Sequence, residues 1–216
     1  MGLNDILPDA SVVRRLASAA AIGAAIIPLT AHSVTLTPYN TDSLTLGDLL
    51  VPPGMLVDNF QNLSGSIGLL GSTVYFDSAN SVYTYTFAVA PSVNSISEVN
   101  TAFAAIGLTN DGTQVGFSFS DALASGGSGT SADFTIIQDP DGTLDYQTNG
   151  DWFGSFDSIN FHFRSTLPPT TGYYNAINTQ VGTALGYAPV SVPAAVWLFG
   201  SGLLGMIGIA RRKKAA

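Results

Sequence analysis

The chain has 216 residues, with 7 lysines and arginines against 15 aspartates and glutamates, a formal net charge of −8, and no cysteine. Six of the basic residues are terminal (Arg14, Arg15, Arg211, Arg212, Lys213 and Lys214), so between Val34 and Pro189 Arg164 alone faces 13 acidic residues, a formal charge of 1 − 13 = −12. Such a surface excludes nucleic-acid binding, which rests on Lys and Arg neutralising phosphates, and the missing thiols exclude disulfides, Cys-ligated zinc and thiol catalysis.

In chain order, the first feature is an export signal. Arg14 and Arg15 precede the uncharged stretch Leu16 to Thr30, and Ala31, His32 and Ser33 place small residues three and one positions before a signal-peptidase cut. This predicts a signal peptide over 1–33 and a mature start near Val34. Pro28 and the shortness of the apolar run count against the competing reading, an uncleaved N-terminal membrane helix. The stretch 34–189 suits one exported domain with a full-sized core.

Most of that domain reads as strands. Ser72 to Phe76 and Ser81 to Val89 are rich in Val, Tyr, Thr and Phe, and in the second run Tyr83, Tyr85, Phe87 and Val89 alternate with Thr84, Thr86 and Ala88. With Asp77 to Asn80 as the turn, they predict a hairpin. Gln114 to Ser120 places Val115, Phe117 and Phe119 on one face. Asp133 to Gln138 and Thr143 to Gln147 flank Asp139-Pro140-Asp141-Gly142, a turn sequence with Pro second. Ser158 to Arg164 puts Ile159, Phe161 and Phe163 on one side, and His162 and Arg164 opposite, at a solvent-facing or rim position. Short alternating strands between turn signals predict a mainly β chain and a single β-sandwich domain.

One or two short helices are expected among the strands. Ser95 with Glu98 fits a capping box, followed by Val99, Ala102, Phe103 and Ile106 at helical spacing and Gly107 as a stop. A weaker helix or turn is expected within Tyr173 to Leu185, and Ser125 to Ser131 reads as a flexible Gly/Ser loop.

The domain's residues point away from catalysis. His162 is its one histidine past the expected cleavage point, and no Gly-x-Ser-x-Gly elbow accompanies it. Asp139, Asp141 and Asp145 could in principle pair for glycoside cleavage, but carboxylates beside Pro and Gly ordinarily serve the turn. The same segment resembles part of a calcium loop, with Thr143, Leu144 and Gly150 where that loop needs Asp or Asn, Gly and Glu. No enzyme activity, cofactor or metal is therefore expected. Trp152, Phe153 and Phe156 lie close together and are the candidate glycan contacts, as an aromatic platform for a sugar, against core packing as the other use.

The end of the chain specifies a destination. Pro193 is followed by 17 uncharged residues, Ala194 to Ala210, with Trp197 near their start, and then by Arg211, Arg212, Lys213 and Lys214. The run 194–210 is just long enough to span a hydrocarbon core of ~30 Å as a transmembrane helix. The basic cluster places the C-terminus in the cytoplasm and everything before Pro193 outside it. A buried core helix would not be apolar on every face and end in four cations.

Val190-Ser191-Val192-Pro193-Ala194-Ala195-Val196-Trp197-Leu198-Phe199-Gly200-Ser201-Gly202-Leu203, with the apolar run and basic end that follow, resembles the PEP-CTERM sorting signal of exopolysaccharide-producing Gram-negative bacteria. Ser191 stands where the closest variant has its first proline. The residues carrying the signal are Pro189, Ser191, Pro193, Trp197, Arg211, Arg212, Lys213 and Lys214, within 190–216 and at its border. The resemblance implies export, transient anchoring in the inner membrane, cleavage by an exosortase-type enzyme, and delivery to the cell surface or the exopolysaccharide matrix. A permanent single-pass anchor is the alternative. Exported domains behind this tail differ widely, so the tail assigns no activity to 34–189. The expectation is a non-enzymatic structural or adhesive protein, with a carbohydrate-binding, lectin-like module as the alternative.

Overall fold

The computed structural model describes residues 32–50, 54–93, 96–121, 134–148, 158–177 and 179–190. They lie in the compact unit His32–Ala216. The expected signal peptide up to residue 31, the Ser125 to Ser131 loop, the Trp152, Phe153 and Phe156 cluster, and the tail from Ser191 onward lie outside the described residues. So does the candidate span 194–210, and no helix among the described residues is long and apolar enough to cross a membrane.

The described chain is mainly β. Its elements are β1 (Val34–Leu36), β2 (Tyr39–Asn40), a 3-10 turn (Thr41–Ser43), β3 (Asp48–Leu49), β4 (Leu56–Asn62), β5 (Gly65–Asp77), β6 (Val82–Pro91) and β7 (Glu98–Thr101). They continue with β8 (Val115–Ser118), β9 (Phe134–Gln138), β10 (Leu144–Thr148), β11 (Ile159–Ser165), β12 (Pro169–Ile177) and β13 (Val181–Pro189). Hydrogen bonding joins them in the order β1-β9-β10-β7-β12-β13-β4-β5-β6-β11-β8-β2, with β3 on β5. The pairs are antiparallel except β2 with β8. Instead of two unconnected sheets, the strands form one continuous mixed sheet curled into a half-barrel.

The β5–β6 hairpin forms where the alternation places it, paired from Gly68↔Pro91 to Asp77↔Val82. Asp77 holds the turn by accepting from the backbone N–H of Ala79 and Asn80. The β9–β10 hairpin closes through Asp139-Pro140-Asp141-Gly142: Gly142 N donates to Asp139 O at 2.8 Å and Asp139 N to Thr143 O at 3.0 Å. Gly142 has φ +88°, the left-handed position that a type I turn with a bulge requires.

Neither segment is helical: the first is a short strand followed by bends and turns up to Gly107, and the second, expected as a helix or turn, is a pair of strands. Glu98–Thr101 is β7, inserted between β10 and β12. Val99 and Thr101 are buried and Glu98 and Asn100 half-buried, so the operative period is two. Backbone pairing on both sides outweighs a capping pattern that required only four apolar positions at helical spacing. Gly107, with φ +68°, accepts from Thr166 N in a turn against β11 and does not end a helix. The second segment, Tyr173 to Leu185, is the β12–β13 hairpin, in register from Pro169↔Pro189 to Ile177↔Val181. Its inner face on β13 is Gly182, Ala184, Gly186 and Ala188, all buried. These small residues admit large partners: a Cβ on Gly186 would lie 2.6 Å from the Tyr174 ring.

The curl buries one aromatic core. Tyr146 of β10 and Phe161 of β11, near opposite ends of the ladder, have ring centroids 4.9 Å apart, and Phe87 of β6 meets Tyr174 of β12 at 4.8 Å. Tyr146 donates to the His162 carbonyl across the core at 3.0 Å, Tyr85 to Leu167 O and Tyr174 to Tyr187 O. Each buried phenol thus keeps a partner, as burial of a hydroxyl demands. β13 and β4 pair at Thr183↔Gln61. Farther along β13 the Asp58 carboxylate accepts from Leu185 N at 2.7 Å and the Ser72 hydroxyl from Tyr187 N at 3.0 Å, so side chains take the place of ladder partners there.

Candidate functional site

His162 is fully buried, which corrects the expected solvent-facing position. Alternation does send it to the face opposite Phe161 and Phe163, but β2 and the 3-10 turn cross that face and cover it. Gly116, opposite His162 on β8, permits the crossing: a Cβ there would overlap the Tyr39 carbonyl and come within 2.6 Å of the His162 ring. The Thr113 carbonyl can only accept, so His162 Nε2 carries the proton and donates to it at 3.1 Å. Nδ1 is then the acceptor for the Thr41 hydroxyl at 2.8 Å. Burial pushes the His162 pKa down to about 4, and the nearby Arg164 guanidinium adds to the depression. A neutral imidazole with both nitrogens engaged ties the 3-10 turn to the sheet. In this arrangement neither nitrogen is directed at a serine hydroxyl.

Ionic and polar contacts secure the same cover. Arg164 pairs with Asp111 at 2.6 Å and also donates to the Thr113 hydroxyl. Ser118 donates to Asp42. Asp111 also accepts from Thr113 N, Thr113 Oγ1 and Thr109 Oγ1, so its carboxylate organises the Thr109 to Thr113 loop.

The three aspartates weighed for carboxylate or calcium chemistry divide by role. Asp141 accepts from Thr143 N at 3.0 Å and Thr143 Oγ1 at 2.7 Å, bonds that hold its pKa below the usual value. Asp139 accepts from Ser33 Oγ at 2.7 Å. Asp145 is half-buried, and its pKa is pushed up to about 6, first by that burial and then by the carboxylates of Glu98, Asp139 and Asp141. Among the described residues, no group of three or more His, Asp or Glu side chains is placed to hold a metal ion.

The outer face of β10, β7, β12, β13 and β4 carries an arrangement that the sequence does not reveal. Asp145, Asn100, Asn175, Thr183 and Gln61 stand in cross-strand register as one row. Thr183 Oγ1 donates to Asn175 Oδ1 at 3.2 Å, Asn175 Nδ2 to Asn100 Oδ1 at 3.0 Å, and Asn100 Nδ2 to Glu98 Oε1 at 2.8 Å. Gln147 Nε2 completes the chain at Glu98 Oε2, 3.3 Å away. Tyr173, on the same face of β12 as Asn175, is 57% exposed. Each of these polar residues is unremarkable in its own strand, and only the strand order brings them together.

The expected glycan contacts Trp152, Phe153 and Phe156 lie outside the described residues, as do the sorting-signal residues other than Pro189. Pro189 ends β13, buried and paired with Pro169. None of the protein families, curated proteins or solved structures compared with the chain matches it.

Proposed function

We propose that the chain is an exported structural or adhesive protein of the cell envelope or extracellular matrix, released from a transient inner-membrane anchor by an exosortase-type enzyme. One observation carries the reading: Pro193, the Trp197-Leu198-Phe199-Gly200-Ser201 run, the uncharged span to Ala210 and the four cations occur together in this order. The exported portion is consistent with such a role. It has no cysteine to depend on the redox state of its surroundings, and its formal charge of −12 favours solubility. The curled sheet, packing its two ends against each other, would serve as a platform that presents exposed outer positions such as Tyr173 for contact. The lectin-like alternative is a special case of adhesion and draws support from the polar row beside Tyr173.

An epitope tag after Ala216, with an antibody against the domain, tests the sorting reading. In a host with an exosortase, the surface-exposed protein should react with the antibody and lack the tag. Without the enzyme, both signals should stay in the inner-membrane fraction. Surface protein that retains the tag would favour a permanent anchor, and protein confined to the cytosol would overturn export.

A further inference from the structure

The outer face of the curled sheet changes chemistry along the strand order. On β4 and β5 the exposed side chains include Val57 and Leu69, which offer apolar area without hydrogen-bonding groups. On β10, β7, β12, β13 and β4 the row from Asp145 to Gln61 sets carboxylate, amide and hydroxyl groups along a line crossing five strands. Four inter-strand steps of about 4.8 Å make it roughly 19 Å long.

We propose that the row Asp145, Asn100, Asn175, Thr183 and Gln61, with Tyr173 beside it, is a binding site for a neutral, hydroxyl-rich glycan chain. A sugar hydroxyl is both donor and acceptor, so it is best met by a surface that presents both at short intervals. An amide does this with one group. Asn100 and Asn175 each give one bond to the next side chain and receive one from another, which fixes their orientation and leaves a second amide hydrogen on each for a ligand. Because the row is ordered before binding, a ligand does not have to immobilise it, and the entropy cost that weakens polar binding is reduced.

Tyr173 supplies the other half of sugar recognition. It lies two residues from Asn175 on one face of β12, about 7 Å along the strand, and its exposed ring offers an apolar plane with a polar tip. Charge selects among glycans. Asp145 lies in the row and Glu98 next to it, on a domain of formal charge −12, so a uronate or sulfated polymer is repelled and an uncharged one is not.

The inference rests on the adhesive part of the reading above and not on sorting, so purified protein tests it without an exosortase. The full-length chain, in a mild non-ionic detergent, would be run through native gels containing galactomannan, dextran or alginate. Retardation is expected in at least one neutral gel and not in alginate. Tyr173→Ala and Asn175→Ala should each weaken retention about tenfold, the loss expected for one aromatic or hydrogen-bonding contact. Tyr173→Trp should retain binding, and Val57→Ala, outside the row, should leave it unchanged. Because Tyr173 is exposed, its alanine variant should keep the wild-type melting temperature, which separates lost binding from lost folding. No retardation in either neutral gel, retardation in alginate alone, or full retention by both row variants would overturn the proposal. A failed sorting experiment beside successful retention would remove the export reading and leave this one standing.

Discussion

His162 and Asp145 both point away from the core, on strands near opposite ends of the sheet, and pull stability in opposite directions with pH. The folded pKa of His162, about 4, lies below its ordinary value of 6.5. Between those values the unfolded chain holds the extra proton, so this contribution is present above pH 6.5 and is lost as pH falls through 4. For a fully buried ring it amounts to something on the order of 3 kcal/mol. Asp145 has a folded pKa of about 6, above its ordinary 3.8. Between those values the folded state holds the extra proton, so its contribution is present in acid and disappears as pH rises through 6. Thermal unfolding between pH 4 and 7 should resolve the two: His162→Gln should flatten the acid-side loss of melting temperature, and Asp145→Asn should raise stability at pH 7 relative to pH 4. A His162→Gln profile parallel to wild type would show that the imidazole titrates alike in the folded and unfolded chain, against the depressed pKa. The chain pattern placed His162 opposite the phenylalanines, but its burial was not legible because the cover comes from Tyr39 to Ser43, more than a hundred residues earlier.

At the scale of elements, strands were legible where large side chains alternate and hidden where they do not. The β5–β6 and β9–β10 hairpins announce themselves through Tyr, Phe, Val and Ile at period two and through Asp77 to Asn80 and Asp139 to Gly142 as turns. The β12–β13 hairpin does not, because the inward positions of β13 are glycines and alanines that yield space to Tyr174, Leu70 and Ile67. β7 was misread because Val99, Ala102, Phe103 and Ile106 fall at helical spacing, although Phe103 reaches the core from the bend that follows the strand and packs edge-on against Tyr174 at 5.1 Å. The polar row was illegible for a related reason: its members come from five strands whose register no local pattern encodes. The small-residue face gives a direct test. Gly186→Ala would put a Cβ 2.6 Å from the Tyr174 ring and 3.1 Å from Leu70, and such overpacking typically costs about 1–3 kcal/mol. Asp58→Ala, on β4, would leave Leu185 N without its acceptor at a similar cost of about 1–3 kcal/mol. The two sites share Leu185 as a neighbour, so the double variant should fall short of additivity in denaturant unfolding. Wild-type stability in Gly186→Ala would mean that β13 stands farther from the Tyr174 ring.

For the whole molecule, the charge distribution bears most directly on function. The domain from Val34 to Pro189 has a formal charge of −12, whereas the last six residues carry four cations and no acid. Moving the cluster Arg211 to Lys214 through a bilayer is costly, and the proposed sorting pathway depends on that cost, because it holds the tail in place until an enzyme cuts near Pro193. The apolar run alone is a weak hold. Its 17 residues reach only the short end of what spans ~30 Å, so without cations the segment could slip through with the domain. A reporter fused after Ala216 should therefore be cytoplasmic in a strain without exosortase. Replacing all four cations by asparagine should release a fraction of the fused protein to the outside, while leaving the sheet and the proposed glycan row untouched. Localising the reporter in fractionated cells separates the outcomes. An external reporter on the unmodified chain would reverse the orientation, and a cytoplasmic one after the replacement would show that the apolar span anchors without its charges.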